Sequence, residues 1–445
     1  MRKFKFIAFF GMILAQPNVS VAQHMEAWDG PNQFTIHTCI QRVLSNNFDV
    51  ALANMDSKIA RNSVTKGNAG LLPNVAVNGG TNYSNNNTEL KFAGGIPPTN
   101  VDGAVSSGYN ASLGLNYTVF NGFANLNNFQ KLKVSQNLSE AQLQLTIENA
   151  VITVIGLCLD YAKIEEDIVA LRETISISLT RLNRAGIAQS NGSGSTIQLY
   201  SAKVDLNADS ANLLNALNAK GSLQRQLNYL MGNQIDQIIE LEADVDSFDK
   251  PYFDQILTVA KLNNSLLVFA RVKENMTEVN QKLASANQYP TIALNTSYGL
   301  NASQSGAGIV LEQNNVGFSG GLTVSIPIFS GGRTKIAMDN AATQMQKSAL
   351  EKTQNERLVE KEVYDYWSNY EVNEQLLKME LENLKTAELN VSRASELQRL
   401  GQITSVEFRL AQLNLLASKN RINAAKYNLK KSEYQLLRLK GELVK

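Results

Sequence analysis

Along residues 109–119 apolar and polar side chains alternate. Tyr109, Ala111, Leu113, Leu115, Tyr117 and Val119 are separated by Asn110, Ser112, Gly114, Asn116 and Thr118, the period of two that sends successive side chains to opposite faces of a strand. One face is apolar, the other small and polar. The pattern returns later, with Leu322, Val324, Ile326 and Ile328 against Ser319, Gly321, Thr323 and Ser325, and with Ile292, Leu294, Tyr298 and Leu300 against Asn295, Ser297 and Gly299. A soluble sandwich strand also alternates. The length of about ten residues, the polar second face and the tyrosines are what the wall of an outer-membrane barrel demands. Four strands cannot close a barrel, because single-chain barrels begin at about eight, so the barrel must be shared between chains. The Asn-, Gly- and Ser-rich segments 84–107, which holds Pro97-Pro98, and 301–316 are expected to be exposed outer loops.

Elsewhere the apolar period lengthens. The stretches from Ala124 to Gly186 and from Arg333 to Gly401 contain no proline and few glycines. At about 63 and about 69 residues, they predict helices on the order of 100 Å long. Apolar residues recur at seven-residue steps, as Leu138, Leu145, Ile152 and Leu159, or Leu377, Leu384 and Val391, which is the seam of a coiled coil. Each long helix is expected to turn at a glycine and return through a shorter one, 196–231 or 405–443, while 35–70 and 252–288 each supply another. Two short helices end to end match one long helix, so the pattern predicts a wall of paired helices of uniform height below the strands.

This order of elements is written twice. Leu71-Leu72-Pro73-Asn74-Val75-Ala76-Val77 is echoed by Gln288-Tyr289-Pro290-Thr291-Ile292-Ala293-Leu294, and Leu113-Gly114-Leu115-Asn116-Tyr117-Thr118-Val119-Phe120-Asn121-Gly122 by Leu322-Thr323-Val324-Ser325-Ile326-Pro327-Ile328-Phe329-Ser330-Gly331. The first repeat is placed at 23–231 and the second at 251–445. The connection 232–250, with Asp236, Glu240, Glu242, Asp244, Asp246 and Asp249, reads as a surface belt.

The amino terminus adds an address. Arg2, Lys3 and Lys5 precede the apolar run Phe6 to Leu14, and Ser20-Val21-Ala22 offers small residues for cleavage, the pattern of a signal peptide over 1–22. Cleavage changes the formal charge of +1 to about −2, and nothing in this balance points to nucleic acid. No later stretch approaches the roughly 20 uninterrupted apolar residues of a membrane helix. Cys39 and Cys158 fall within helical patterns and are read as buried small hydrophobes; neither sits in a lipobox, so no lipid anchor is expected. His24 and His37 form no metal-ligand pattern, no cofactor motif stands out, and no nucleophile clusters with a base, so an enzyme is disfavoured. Asn191-Gly192-Ser193-Gly194-Ser195-Thr196 lacks the lysine of a phosphate-binding loop and reads as a flexible hairpin tip.

The repeated motifs resemble the TolC-like outer-membrane efflux protein family over nearly the whole mature chain. The likeness is carried by Leu71-Leu72-Pro73, by the strand-to-helix turns Tyr117 to Gly122 and Ile326 to Gly332, and by Arg399-Leu400-Gly401-Gln402-Ile403-Thr404-Ser405 at the last helical turn. The resemblance implies an α+β membrane protein, a homotrimer in which twelve strands make one barrel continued by an α-helical tunnel. It also implies a passive exit duct for efflux or type I secretion in the outer membrane of a Gram-negative bacterium, embedded in lipid and working with a periplasmic adaptor and an energised inner-membrane transporter. A self-assembling coiled-coil filament or stalk is the rival reading. It would share the heptads but would carry one variable centre, not the same strands twice.

The candidate sites follow. Gly122, Gly331 and Gly332 sit where a strand becomes a helix, where glycine permits unusual backbone angles, and Pro327 suits a strand edge or end; all four are expected to be hinges. Adaptor docking is expected at the periplasmic turns, on Leu400, Gly401 and Gln402 in the second half and on Ala185, Gly186 and Ile187 in the first, which is expected to be longer by roughly six residues within 187–195. The resemblance places acidic rings just beyond the last turn. The first such position is Glu407, the second is Leu410, and the position of a bracing basic residue is Ile403, so Glu407 alone is a candidate gate.

Overall fold

The computed structural model describes residues 33–95, 97–242 and 252–444. The expected signal peptide, His24, and Asp244, Asp246 and Asp249 of the belt lie outside the described residues. The first half contains β1 (Gln33–Thr35), α1 (Ile36–Asn46), α2 (Phe48–Ser63), β2 (Asn74–Leu90), β3 (Thr99–Asn121), α3 (Ala124–Ser190) and α4 (Thr196–Met231). The second contains β4 (Glu240–Glu242), α5 (Phe253–Asn263), α6 (Ser265–Ala286), β5 (Thr291–Ser305), β6 (Glu312–Ser325), α7 (Arg333–Arg399) and α8 (Ser405–Lys440).

Four strands form one antiparallel sheet in the order β2-β3-β5-β6, which leaves β2 and β6 as edges. Its register separates the two faces. Val77, Leu113, Tyr298 and Phe318 share one row, and Asn78, Ser112, Gly299 and Gly317 share the next, on the opposite face. The apolar face has no cover: Val77 is 80% and Phe318 72% exposed. The strands run to 17, 23, 15 and 14 residues, longer than expected, and so the expected loops 84–107 and 301–316 shrink to turns at 91–98 and 306–311. Pairing continues through Ser84↔Ser106 and Leu90↔Thr99 because a ladder needs only backbone N–H and C=O groups; Asn and Ser there signal a polar face, not a loop.

The two segments expected as single helices are each broken once. Asn47 and Asn264 take extended ψ values of 129° and 126°, and each side chain accepts N–H bonds from the next helix. A local amide cap of this kind competes with helix continuation. The break lets α1 pack inward while α2 leans on α3. Between them, Phe34, Cys39, Val43, Val154, Ile155, Cys158, Leu159 and Leu227 form the main core. Both cysteines are free and buried, as expected of small hydrophobes; the hydrogen bond with the neighbouring Cys39 thiol, then burial, push the Cys158 thiol up. The belt is more than surface. Gln33–Thr35 pairs in parallel with Glu240–Glu242, and the Tyr161 hydroxyl donates to the Ile239 carbonyl at 2.7 Å beneath it. By length and composition α3 holds an 18-residue stretch apolar enough to cross a membrane, with 44% of it buried inside the protein.

At the strand-to-helix turns the backbone is left-handed: Gly122 has φ +64°, Gly331 +63° and Gly332 +79°. Phe123, the counterpart of Gly332, also has φ +65°, strained for a side chain by about 1–2 kcal/mol. Edge-to-face packing on Phe120 at 5.2 Å offsets that strain. Pro327 lies just past β6, which ends at Ser325, so Ile326 and Ile328 are outside the strand. A residue without N–H cannot extend the ladder.

Candidate functional site

The two helical hairpins superimpose in length. An offset of 209 residues carries Ala124 to Arg333, Ser190 to Arg399, Thr196 to Ser405 and Met231 to Lys440. The turns are therefore Asn191–Ser195 and Leu400–Thr404, equal in length, and the six extra residues expected in the first do not exist. Gly192, with φ +72°, is the partner of Gly401, also +72°. Ala185, Gly186 and Ile187 lie inside the last two turns of α3, and not at a hairpin tip. Gly186 misleads because a glycine in a helix interior looks like a stop signal when neighbouring packing is unseen.

The two tips share a groove of about 820 Å³ lined by Arg181, Arg184, Ala185 and Gln198 from the first hairpin and by Arg399, Gly401, Gln402, Thr404 and Glu407 from the second. Ala185 thus does meet Gly401 and Gln402 across it; Gly186, Ile187 and Leu400 are outside its lining. Glu407 turns back on its own helix. Its carboxylate accepts from Thr404 N–H at 2.7 Å and Oγ1 at 2.8 Å, while Thr404 Oγ1 accepts from Glu407 N–H at 3.2 Å, a reciprocal capping box. These bonds hold the exposed carboxyl below its ordinary range.

Behind the groove a buried polar cluster joins the hairpins. Arg409 of α8 grips Asp209 of α4 bidentately at 2.7 and 2.8 Å, and Ser178 of α3 donates to the same carboxylate at 2.7 Å. Arg181 binds Asp205 at 3.0 Å and Ser405 at 3.0 Å, and Gln412 donates to the Thr174 carbonyl at 2.9 Å. Burial disfavours the Arg409 cation, but the bonds and charge of Asp209, with Asp205, more than offset it, so the guanidinium is held above its ordinary value. A ladder continues upward between α3 and α8: Glu173 with Lys419, Asp167 with Asn423 at 2.8 Å, Glu166 with Lys426 at 2.8 Å and Asp160 with Lys431 at 2.6 Å. The sequence gives no hint of this pairing, since the partners lie more than 200 residues apart.

Among the described residues no group of three or more His, Cys, Asp and Glu side chains could hold a metal ion. An uncovered apolar sheet face, two open strand edges and helical hairpins on the order of 100 Å define a subunit of a channel that lines a passage. Residues 39–233 and 256–442 match the outer membrane efflux protein family. The outer membrane efflux protein BepC of Brucella suis biovar 1 (strain 1330) is 23% identical over 343 residues, 74% of this chain and 71% of that one. The fold is that of the outer membrane protein VceC from Vibrio cholerae (TM-score 0.76, 15% identity, 91% of this chain and 96% of that one) and of the Campylobacter jejuni CmeC outer membrane channel (TM-score 0.78, 15% identity, 92% and 86%). The chain belongs to the outer membrane efflux protein family. It is an exit-duct subunit of the Gram-negative outer membrane with a large helical portion in the periplasm.

The buried cluster makes a prediction. Arg409→Ala leaves Asp209 charged and unpaired, and breaking such a pair costs about 3–5 kcal/mol. Hydrogen exchange should accelerate across α4 and the first turns of α8, and the double variant Arg409→Met/Asp209→Leu should restore most of the protection. Unchanged exchange in Arg409→Ala would remove the cluster from tip stability.

Proposed function

We propose that three copies of this chain close into one passive duct and that the groove between its hairpin tips receives a periplasmic adaptor, through which an inner-membrane transporter delivers cargo. The observation that carries this reading is the four-stranded sheet with two unpaired edges. In lipid each unpaired backbone group costs several kcal/mol, and three such sheets supply twelve strands, within the range of natural barrels. The helices support the same closure. On one flank of the protomer α2 exposes Phe48, Leu52, Met55 and Ile59, and α4 exposes Ile197, Tyr200 and Val204; α7, on the other flank, exposes Val372, Leu376 and Met379. All repeat at alternating three- and four-residue steps, the spacing of a coiled-coil seam. A second copy of this chain is the occupant that fits, because the apolar flanks continue the open strand edges: α2 leads into β2, and β6 leads into α7. A head-to-tail contact of this kind makes a closed ring.

The chain should sediment with the outer membrane and show the mass of a trimer in mild detergent by native mass spectrometry. A monomer soluble without detergent would overturn the duct.

Docking is assigned to Gly401, Gln402 and Leu400 with Ala185 across the groove, and Gly186 and Ile187 flank it on α3. Apart from its chain neighbours no atom lies within 4 Å of where a Gly401 side chain would begin, so a substitution meets only the backbone strain of φ +72°, about 1–2 kcal/mol. Gly401→Arg should therefore leave the trimer assembled, fill the groove and abolish export together with Gln402 crosslinks to the adaptor. Wild-type export by an assembled Gly401→Arg trimer would exclude the tip from docking.

Glu407 is assigned a second role as the charge at the inner end of the duct. The Thr404 bonds lower its pKa, whereas repulsion among three copies in a ring raises it. Periplasmic-side divalent cations should block single channels in planar bilayers, and the block should fade as acidification protonates the ring. Glu407→Ala should relieve it; equal block in both proteins would leave Glu407 as a helix cap alone.

A further inference from the structure

We infer that the barrel section of the duct is a bore without fixed charge, lined by amide, hydroxyl and glycine positions, so that it passes cargo of either sign without electrostatic sorting. This rests on the duct reading above and adds a specificity property to it. In β2, β3, β5 and β6 the only acidic or basic residues are Glu89, Asp102 and Glu312. Glu89 pairs with Asn100 beside the outer turn at 91–98, and Glu312 with Gln304 beside the other turn. All three therefore sit at the outer rim. Below them, from Asn82 down to Asn74, the sheet runs about nine residues, roughly 27 Å, with no ionised side chain on either face.

The face assignment follows from register. Apolar rows such as Val77, Leu113, Tyr298 and Phe318 belong against lipid, which leaves the rows between them for water. A representative row inside is Gly80, Asn110, Asn301 and Asn315. Amides and hydroxyls donate and accept hydrogen bonds at any pH, so they hydrate the wall without creating a field. At physiological ionic strength charges at the rim and at the distant tips are screened over about 8 Å, under a third of this length. Charge selection must then come from those two ends of the duct.

The test uses the assembled full-length trimer with single cysteines read by anionic and cationic thiosulfonate reagents of similar size. Cys39 and Cys158 are both 0% exposed, and wild-type labelling sets the background. At Ser112→Cys and Ser297→Cys both reagents should react. Their rates, corrected by their rates with a free thiol, should agree within about threefold, whereas a bore lined by one sign of charge separates them by about tenfold or more. Adding Gly317→Asp to Ser112→Cys should produce such a separation in favour of the cation and so calibrates the assay. A preference beyond threefold in the single variants, or no reaction at either, overturns the neutral bore. Leu113→Cys and Tyr298→Cys should stay at background. Labelling there at bore rates would instead overturn the membrane wall and with it the duct, so the two failures are distinguishable.

Discussion

The unpaired backbone along β2 and β6 is the constraint on which the rest of the structure depends. Inside a protein or in water an edge strand is tolerable; in hydrocarbon it is not, because nothing there can satisfy its N–H and C=O groups. A chain with four strands in lipid must therefore find its partner edges on other copies of itself. That requirement reaches far from the sheet. A helix joined directly to an edge strand shares its flank, so the same neighbour that completes the barrel must also meet α2, α4 and α7. Their exposed heptad stripes are the helical continuation of an unfinished sheet.

Duplication makes this closure geometrically simple. Hairpins related by a constant 209 residues present equal lengths to their neighbours, and so a ring of alternating first and second hairpins can have a level end. The copies differ at the hinges and at the tips. At the barrel hinge the second repeat has Gly331-Gly332, while the first has Gly122-Phe123 and locks its strained residue with aromatic packing. A side chain at Gly122 would also collide with the Ala286 carbonyl and the Tyr289 side chain. At the tips, Asn191-Gly192-Ser193-Gly194-Ser195 faces Leu400-Gly401-Gln402-Ile403-Thr404. One turn is small and polar, the other carries two aliphatic side chains.

Much of this was legible in the chain. Alternation at 109–119 and heptads at 138–159 report local backbone state, because each depends only on which side of an element a residue occupies. Function was legible through the order of the repeats. What sequence reasoning misplaced were boundaries set by interactions outside the local pattern. The strands outran their apolar alternation, since hydrogen-bonded pairing is indifferent to side-chain type. Asn47 and Asn264 broke helices through a single side-chain cap each. Gly186 resembled a turn because the real one, at Gly192, sits in a segment whose composition suggested excess length. The Asp209–Arg409 cluster was invisible for a different reason: its members are on three helices and acquire meaning only when the hairpins meet.

The distribution of apolar and polar burial gives the helical portion a gradient of stiffness. Around the belt, the large cores built on Tyr161, Leu159, Leu227 and Met231, and on Ile256, Val363, Tyr370 and Leu439, hold the halves by area that is non-directional and forgiving of small shifts. Toward the tips the apolar clusters shrink to Ile168, Leu171 and Ala216, then Ala394, Phe408 and Ala411. The ladder from Asp160–Lys431 to Asp209–Arg409 takes over. Polar contacts in register fix how the hairpins align, yet partly exposed pairs contribute little net stability, and local opening is easiest where buried apolar area is least. The end proposed to receive a partner is thereby the end whose alignment is most specific and whose packing is least deep.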